Sequence, residues 1–331
     1  MAVGNTSKIR KLLVGALAGV GVAALVLGGM IASPVRQPPE LKSISTTGRA
    51  VDRSGMPALE RFEARDGTAL AMRHYSPTAP VAAPVAIAIH GSSAASFNVH
   101  ALAKALAAKG VETFAPDIRG HGASGARGDV SYPGQLEDDL ADLVGKIRET
   151  RPDAPITLIG LSSGGGFALR IAGSPIQDLF ARTVLLAPFL GWKAPTSRED
   201  AGGWASPNIP RIVGLTILSR IGIPCCESLP VIAFAVPPNS TSLLTAQYSF
   251  RLLREFAASR DYRDDIAAAR KPISLLAGAA DELMFADRYQ DAVGARIPVK
   301  LIDGVNHLGI VSDPAALSAI VDDVVTAGTG S

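Results

Sequence analysis

The stretch TLIGLSSGGGFALR (residues 157–170) joins a short apolar run to a segment with helical spacing. Two adjacent serines lie at the join between Gly160 and Gly164, in a G-x-S-x-G pattern centred on Ser162. A serine at so sharp a bend is held in strained backbone geometry, and side chains two residues before and after it would collide with the strand and the helix. The pattern therefore predicts a strand, a turn that exposes Ser162, and a helix beginning near Ser163.

Apolar runs alternate with helical segments along most of the chain, which is typical of a parallel sheet covered on both faces. A hairpin is predicted before them, because LERFEAR and ALAMRHY flank Asp66-Gly67, a dipeptide favoured in tight turns. The last predicted helix has Leu317, Ile320 and Val324 on one face. The predicted strands are VAIAI (85–89), VETFAP (111–116), ITLIG (156–160), TVLLAP (183–188), ISLLAG (273–278) and VKLID (299–303).

The N-terminal segment is long and apolar enough to cross a membrane as a helix. Leu12–Ala32 runs without a charge, and Lys8, Arg10 and Lys11 precede it. This bias predicts a single-pass anchor within residues 1–32, with a cytoplasmic N-terminus and an extracytoplasmic catalytic domain. A cleaved signal peptide and a buried helix are the alternatives, although the apolar region of a signal peptide is shorter.

Composition divides the rest of the chain into a linker, a core and an insertion. Residues 33–57 are rich in Pro, Ser, Thr and Arg with little periodicity, which predicts a linker. The strand–helix alternation fills residues 58–188 and 262–331 and is interrupted over 189–261, which holds both tryptophans and long apolar stretches. An insertion between strands of such a sheet lies where α/β proteins bind ligands, so we predict a cap over a pocket. A subdomain that only packs on the core is the alternative.

Charge and cysteine content exclude several classes of function. The 331 residues carry a formal net charge of +2, and no basic cluster has interleaved aromatic residues, so no nucleic-acid partner is expected. Cys225 and Cys226 are adjacent, which suits neither a disulfide framework nor a zinc site, and we expect both to be buried. The glycine run that begins at Gly164 lacks the lysine of a phosphate-binding loop. We therefore predict no cofactor and no metal.

Five motifs in order resemble the α/β-hydrolase superfamily, in particular its lysophospholipase and monoacylglycerol-lipase-like branch. The resemblance covers nearly everything from Glu60 to the C-terminus. It implies an α/β-hydrolase fold, with a mostly parallel sheet, helices on both faces and an inserted cap. The motifs are HGSS from His90, DIRGHGAS from Asp117, GLSSG from Gly160, GAADEL from Gly278, and Asn306-His307.

The resemblance implies a role for each residue at a matching position. Ser162 is the expected nucleophile, with His307 as its base and Asp281 as the acid that orients the imidazole. The backbone N–H groups of Ser92 and Ser163 are the expected oxyanion hole. These residue types suit the chemistry, because a serine hydroxyl is a poor nucleophile at neutral pH and needs a base whose pKa is near 7.

Some of these assignments have rivals. Ser163 could be the nucleophile, although it lacks a flanking glycine on its N-terminal side. Glu282 or Asp287 could replace Asp281, because only the position after the strand distinguishes the three. The remaining polar residues of the motifs and the other histidines are expected to be structural: His74, His90, His100, Asp117, Arg119 and His121.

The predicted function is a serine hydrolase that cleaves carboxylic esters through an acyl-enzyme. An apolar cap and a membrane segment favour small or lipid-like ester substrates, such as monoacylglycerols or lysophospholipids. The same triad could cleave an amide, peptide or carbon–carbon bond. A membrane-tethered binding module without catalysis is a further alternative, and nothing in the sequence indicates an oligomeric state.

Overall fold

The computed structural model describes residues 3–77, 84–237 and 244–328, so the predicted outer bounds at residues 1 and 331 lie outside the described residues. Eleven strands form within these ranges: β1 (Glu60–Glu63), β2 (Ala69–Tyr75), β3 (Val85–Ile89), β4 (Glu112–Pro116), β5 (Ile156–Leu161), β6 (Arg182–Leu186), β7 (Ala205–Pro207), β8 (Pro230–Phe234), β9 (Gln247–Ser249), β10 (Ile273–Gly278) and β11 (Val299–Ile302). The same ranges contain ten α-helices: α1 (Val3–Ala32), α2 (Lys42–Ala50), α3 (His100–Ala108), α4 (Gln135–Arg148), α5 (Ser163–Ala172), α6 (Ile209–Arg220), α7 (Phe250–Glu255), α8 (Tyr262–Ala268), α9 (Tyr289–Val293) and α10 (Pro314–Gly328).

The central sheet has eight strands in the order β1-β2-β4-β3-β5-β6-β10-β11. Strands β1 and β2 pair antiparallel around the predicted turn at Asp66-Gly67, and β2 pairs antiparallel with β4. All other neighbours in this sheet are parallel. The predicted hairpin and the mostly parallel sheet are therefore confirmed.

Helices cover both faces of the sheet, as the apolar runs predicted. Along β3, Ile87 joins one hydrophobic cluster while Ala86 and Ala88 join the other, because successive side chains point to opposite faces. Apolar residues of α4 and α5 complete the first cluster, and those of α3 and α10 complete the second. Strands buried on both faces have little room for polar residues, which explains their continuous apolar sequence.

The insertion between β6 and β10 has a small sheet of its own. Strands β7, β8 and β9 pair antiparallel in that order, and α6 and α7 lie in the same segment. Sequence periodicity did not indicate α6, since its apolar residues are spread around the helix rather than on one side. Cys225 and Cys226 lie in the turn that follows α6, and both are exposed, so the expectation that they are buried is wrong.

The N-terminal helix α1 projects from the domain. Its segment Arg10–Ala32 is long and apolar enough to cross a membrane, and none of its most apolar window is buried. Leu12, Leu17 and Leu25 are 73%, 72% and 78% exposed. The buried-helix alternative is therefore wrong, and this segment is a candidate membrane span.

Residues 33–57 are not the plain linker that their composition predicted. They contain α2, whose Ile44 is buried in the main hydrophobic cluster. Asn306 donates a hydrogen bond to the Thr47 hydroxyl at 2.9 Å, and the backbone N–H of Leu41 donates to the carbonyl of Ala235 at 3.4 Å. Tertiary contacts thus order a short segment whose single large apolar residue would not stabilise a helix on its own.

Candidate active site

The turn around Ser162 joins β5 to α5 and has the strained backbone that its glycines predicted. Ser162 has φ 54° and ψ −116°, in the left-handed half of the map that non-glycine residues rarely adopt. A Cβ on Gly160 would lie 2.2 Å from the carbonyl oxygen of Gly164, and one on Gly164 would lie 2.3 Å from that of His90. Only glycine fits at either position, because the obstructing atoms are backbone.

Asp281 and His307 lie in the loops after β10 and β11, and the fold brings them together. The Nδ1 atom of His307 lies 2.8 Å from Oδ2 of Asp281, and both side chains are buried. The loops approach closely at Gly278, where a Cβ would lie 2.1 Å from the carbonyl oxygen of Val305. Because an ionised carboxylate only accepts, the pair holds the proton of His307 on Nδ1 and leaves Nε2 as an acceptor.

Electrostatics favour the charged forms of this pair. Burial opposes ionisation of Asp281. The charge of His307 and its hydrogen bond outweigh this effect, together with hydrogen bonds from the backbone N–H groups of Met284 and Leu283, and they hold the pKa of Asp281 below its ordinary value. Burial likewise opposes protonation of His307, yet the charge and hydrogen bond of Asp281, aided by the charge of Glu282, raise its pKa above 6.5. The imidazole is thus a stronger base than a free histidine.

The two rival acids lie elsewhere. Oε2 of Glu282 accepts the backbone N–H of His307 at 2.9 Å, so this carboxylate supports the loop rather than the ring. Asp287 is exposed, in a short 3₁₀ turn before α9. Of the three carboxylates weighed from the sequence, the one hydrogen-bonded to the His307 ring is Asp281.

Ser162 and His307 both line a cavity of about 490 Å³. The Ser162 side chain makes no hydrogen bond to any described residue. It therefore lines the same cavity as His307 but is not hydrogen-bonded to the His307 ring. Most of the remaining wall is apolar, and part of it comes from the inserted segment. These apolar residues include Phe97, Leu161, Trp204, Leu244, Leu283, Leu308 and Val311.

Two backbone donors beside Ser162 have no acceptor within the part of the chain that the structure describes. They are the N–H groups of Ser92, in the loop after β3, and of Ser163, the first residue of α5. Ser163 is one of the four N-terminal residues whose N–H groups a helix leaves unpaired, and the helix dipole adds positive potential there. Such donors can stabilise a negatively charged oxygen next to the serine.

The DIRGHGAS motif braces neighbouring segments of the chain, as expected. Asp117 accepts backbone N–H groups of Ser96 at 2.8 Å and Ala123 at 2.9 Å. Arg119 forms a bidentate ion pair with Asp139, with both N–O distances 2.7 Å. None of these charged side chains lines the cavity.

The histidines predicted to be structural make structural contacts. Nε2 of His90 accepts the backbone N–H of Ile118 at 3.1 Å, and Nε2 of His121 lies 2.6 Å from the Tyr248 hydroxyl. His74 and His100 pair with Glu112 and Tyr75, through contacts of 2.8 Å and 2.9 Å.

Two contributors to the cavity were not among the predicted site residues. Trp204 of the insertion donates from Nε1 to the Ser92 hydroxyl at 2.9 Å, so the insertion contacts the loop that carries a free donor. The second contributor is α2 with the residues after it, which supply Ile44, Ser45, Gly48, Arg49, Val51 and Arg53 to the wall. Ile44 is the one large apolar residue of α2, which is too little for the sequence to predict that this segment reaches the cavity.

One family model matches more than half of the chain. The model of the family described as "Serine aminopeptidase, S33" (Hydrolase_4) matches residues 81–310. The chain belongs to this family. The match includes the turn at Ser162, the Asp281–His307 pair and the whole insertion. A search of curated protein sequences found no significant match.

Solved structures share the fold at low sequence identity. A soluble variant of monoglyceride lipase from Saccharomyces cerevisiae, in complex with a substrate analogue, is 15% identical with a TM-score of 0.61, over 84% of this chain and 96% of that one. A putative aryl esterase from Burkholderia cenocepacia is 21% identical with a TM-score of 0.56, over 83% and 100%. A bacterial membrane phospholipase A, described as a virulence factor, is 15% identical with a TM-score of 0.57, over 98% and 100%. These similarities establish the α/β-hydrolase fold.

Proposed function

We propose that this protein is a membrane-anchored serine hydrolase that cleaves carboxylic esters with lipid-like acyl chains. The observation that carries the proposal is the buried Asp281–His307 pair at a cavity that also receives Ser162, on a turn beside two free backbone donors. A serine, a base of raised pKa and an anion-stabilising pair of N–H groups are the parts that acyl transfer needs.

In the first half of the reaction, Ser162 Oγ attacks the carbonyl carbon while Nε2 of His307 takes the hydroxyl proton. Asp281 stabilises the imidazolium, and the N–H groups of Ser92 and Ser163 stabilise the oxyanion, each worth about 3 kcal/mol. His307 then returns the proton to the alkoxide oxygen as the ester C–O bond breaks. The alcohol leaves, and the acyl group stays on Ser162.

The second half repeats these steps with water. His307 takes a proton from the water as its oxygen attacks the acyl carbon, and a second tetrahedral oxyanion forms on the same two N–H groups. When that intermediate collapses, the bond to Ser162 Oγ breaks and His307 returns the proton to the serine. The acid leaves, and the free enzyme is regenerated.

The cavity lining supports acyl substrates. Its volume of about 490 Å³ and its apolar wall suit an alkyl chain better than a polar substrate. Arg49 and Arg53 are the charged side chains other than His307 among the described residues of the wall, and no carboxylate is among them. Similar folds include two proteins described as monoacylglycerol or monoglyceride lipases, which also favours this substrate class.

A second candidate is hydrolysis of an amide bond, which the family description "Serine aminopeptidase" favours. An aminopeptidase must bind the positively charged amino terminus of its substrate, and carboxylates usually do this. The described wall offers arginines instead, which would repel that group. The ester proposal therefore takes precedence.

The proposal includes anchoring by α1, with the catalytic domain extracytoplasmic. Lys8, Arg10 and Lys11 precede the apolar segment, and such a bias keeps the N-terminus on the cytoplasmic side. The test is fractionation of the full chain from its native host, with mass spectrometry of the N-terminus. Recovery with membranes and retention of residues before Ala32 are expected. A soluble chain that begins near Ser33 would contradict the anchor and support a signal peptide.

The test of the chemistry is a labelling and substrate experiment on the full chain in detergent. A fluorophosphonate should label Ser162, and p-nitrophenyl esters should be hydrolysed faster than matched anilides. Ser162→Ala should abolish labelling and lower kcat by about 10⁴-fold or more. Ser163→Ala is the matched control, because it keeps the backbone N–H. Labelling of Ser163 instead, or no labelling of folded protein, would overturn the proposal.

A further inference from the structure

Helix α6 of the cap has apolar residues on the face that it should present to water. Ile209, Val213 and Ile217 recur every fourth residue and are 57%, 41% and 42% exposed. Ile221 and Ile223, just after the helix, are 62% and 47% exposed. Leu215 and Leu218 on the other side are buried. Apolar side chains on both the buried and the exposed side of a helix indicate an apolar environment on both sides.

The exposed face of α6 borders the N-terminal helix. A Cβ on Gly214 would lie 3.1 Å from Ile31 and 3.3 Å from Met30, so α1 and α6 pack closely there. Ile217 is three residues after Gly214, which makes the two positions neighbours on the helix surface. The exposed apolar strip of α6 is therefore continuous with the exposed apolar surface of α1.

Hydrogen bonds fix this junction. Arg211 Nε donates to the carbonyl oxygen of Ile31 at 2.7 Å, and its Nη2 donates to that of Ser33. Asn208 Nδ2 donates to the carbonyl oxygens of Ser33 and Pro34 at 3.0 and 2.9 Å. These donors satisfy the carbonyl of Ile31, in the last turn of α1, and those of the two residues after the helix, so α6 is tied to the end of α1.

The length of α1 sets the depth of α6. The candidate span Arg10–Ala32 has 23 residues, which is about 34 Å of helix at 1.5 Å per residue. The hydrocarbon core of a bilayer is roughly 30 Å thick, so the span has almost no residues to spare. The last turn of α1, with Met30 and Ile31, must therefore lie at the edge of the hydrocarbon, and α6 packs against that turn.

We propose that the face of α6 formed by Ile209, Val213 and Ile217, with Ile221 and Ile223 beyond it, is immersed in the bilayer surface beside α1. The occupant of this face is lipid acyl chain, because lipid already surrounds the adjoining surface of a membrane-spanning α1. The inference rests on the anchor in the proposed function. It makes the cap, which also supplies part of the cavity wall, a second membrane contact.

Fluorescence quenching tests the depth of α6. Full-length Ile217→Trp is reconstituted in phosphatidylcholine–phosphatidylglycerol vesicles with brominated acyl chains, beside Leu301→Trp as a control. Leu301 is similarly exposed, at 38%, but lies on the edge strand β11 of the central sheet. After subtraction of the parent signal, more than about half of the added Ile217→Trp fluorescence should be lost, and that of the control retained. Equal quenching of the two, or none, would overturn the inference.

Activity separates this inference from the proposed chemistry. A variant with Ile209→Ser, Val213→Ser and Ile217→Ser should hydrolyse vesicle-borne esters several-fold more slowly, with unchanged activity on soluble p-nitrophenyl butyrate. Equal activity of parent and variant on vesicles would contradict the inference. If the parent cleaves no ester while the tryptophan at position 217 is quenched, the chemistry is wrong and the membrane contact stands. If the variant instead loses a dimer in detergent, a second copy covers this face and the inference fails.

Discussion

The two walls of the cavity are built differently. On the Ser162 side, Gly160 and Gly164 touch backbone oxygens so closely that a single added carbon would not fit. On the α2 side, a Cβ on Gly48 would meet only a side-chain carbon of Leu308, at 3.8 Å. Ile44 is the buried residue of α2, and the salt bridge between Arg49 and Glu40, at 2.7 Å, is exposed.

Under the proposed function, this difference separates the residues that carry out the reaction from the residues that select the substrate. Under the proposed mechanism the reacting groups must be held within a fraction of an ångström. The turn at Ser162 and the Asp281–His307 pair are fixed accordingly, by backbone contacts and buried hydrogen bonds. A wall that only bounds the substrate needs no such precision. The α2 wall can therefore change residues without disturbing the chemistry, and substrate preference is expected to depend on it.

The largest expected effect is on the pair behind the serine. Asp281→Asn should lower kcat for ester hydrolysis by about 10⁴-fold, because an amide cannot stabilise the imidazolium or fix its tautomer. Glu282→Gln is the matched control and should lose far less, since its side-chain oxygen can still accept the His307 backbone N–H. The measurement is steady-state kinetics on a p-nitrophenyl ester. Equal losses of kcat in the two variants would contradict the distinction between Asp281, which contacts the His307 ring, and Glu282, which contacts the His307 backbone.

The next largest effect is on the free energy of unfolding, compared for one glycine from the Ser162 wall and one from the α2 wall. Gly160→Ala should lower the free energy of unfolding by more than about 3 kcal/mol, because the carbonyl of Gly164 cannot move away from the new Cβ. Gly48→Ala should change it by less than about 1 kcal/mol, towards greater stability, since alanine favours the helix. Urea denaturation measures both. Similar stabilities would show that the walls are equally tolerant.

The pH profile should report His307. Its pKa lies above the ordinary 6.5, so kcat/KM should fall tenfold per pH unit below that raised pKa and level off above it. Activity is lost at low pH because protonated His307 can no longer act as the base. In Asp281→Asn the inflection should move to lower pH, because the charge that raises the pKa is gone. An inflection that does not move would contradict this pairing.

The smallest effect is on the α2 wall. Ile44→Ala should raise KM for a long-chain ester about fourfold, equivalent to one lost methylene contact of ~0.8 kcal/mol, and leave a two-carbon ester unchanged. Ile147→Ala, in the core helix α4, is a control for general loosening and should not alter chain preference. Equal changes for both chain lengths would show that α2 acts on the chemistry rather than on selection.

Local patterns were sufficient for the sheet and for the strained turn at Ser162. Strands buried on both faces need continuous apolar runs, and the turn at Ser162 needs glycines on both sides, so both requirements are written in neighbouring residues. Local patterns were not sufficient to choose the acid among Asp281, Glu282 and Asp287. The three are within seven positions of one another, and only the approach of two loops at Gly278 distinguishes the carboxylate that faces the ring.

Only the tertiary structure revealed helices α2 and α6 and the exposed turn that contains Cys225 and Cys226. Residues 42–50 have a single large apolar side chain, which is too little to predict a helix. Helix α6 has apolar residues on every side rather than on the one side that faces a core. Their environments are supplied by distant segments: the cavity loops for α2 and helix α1 for α6. Periodicity in a sequence records which side of an element faces its own core. It carries no record of a partner that arrives from far along the chain.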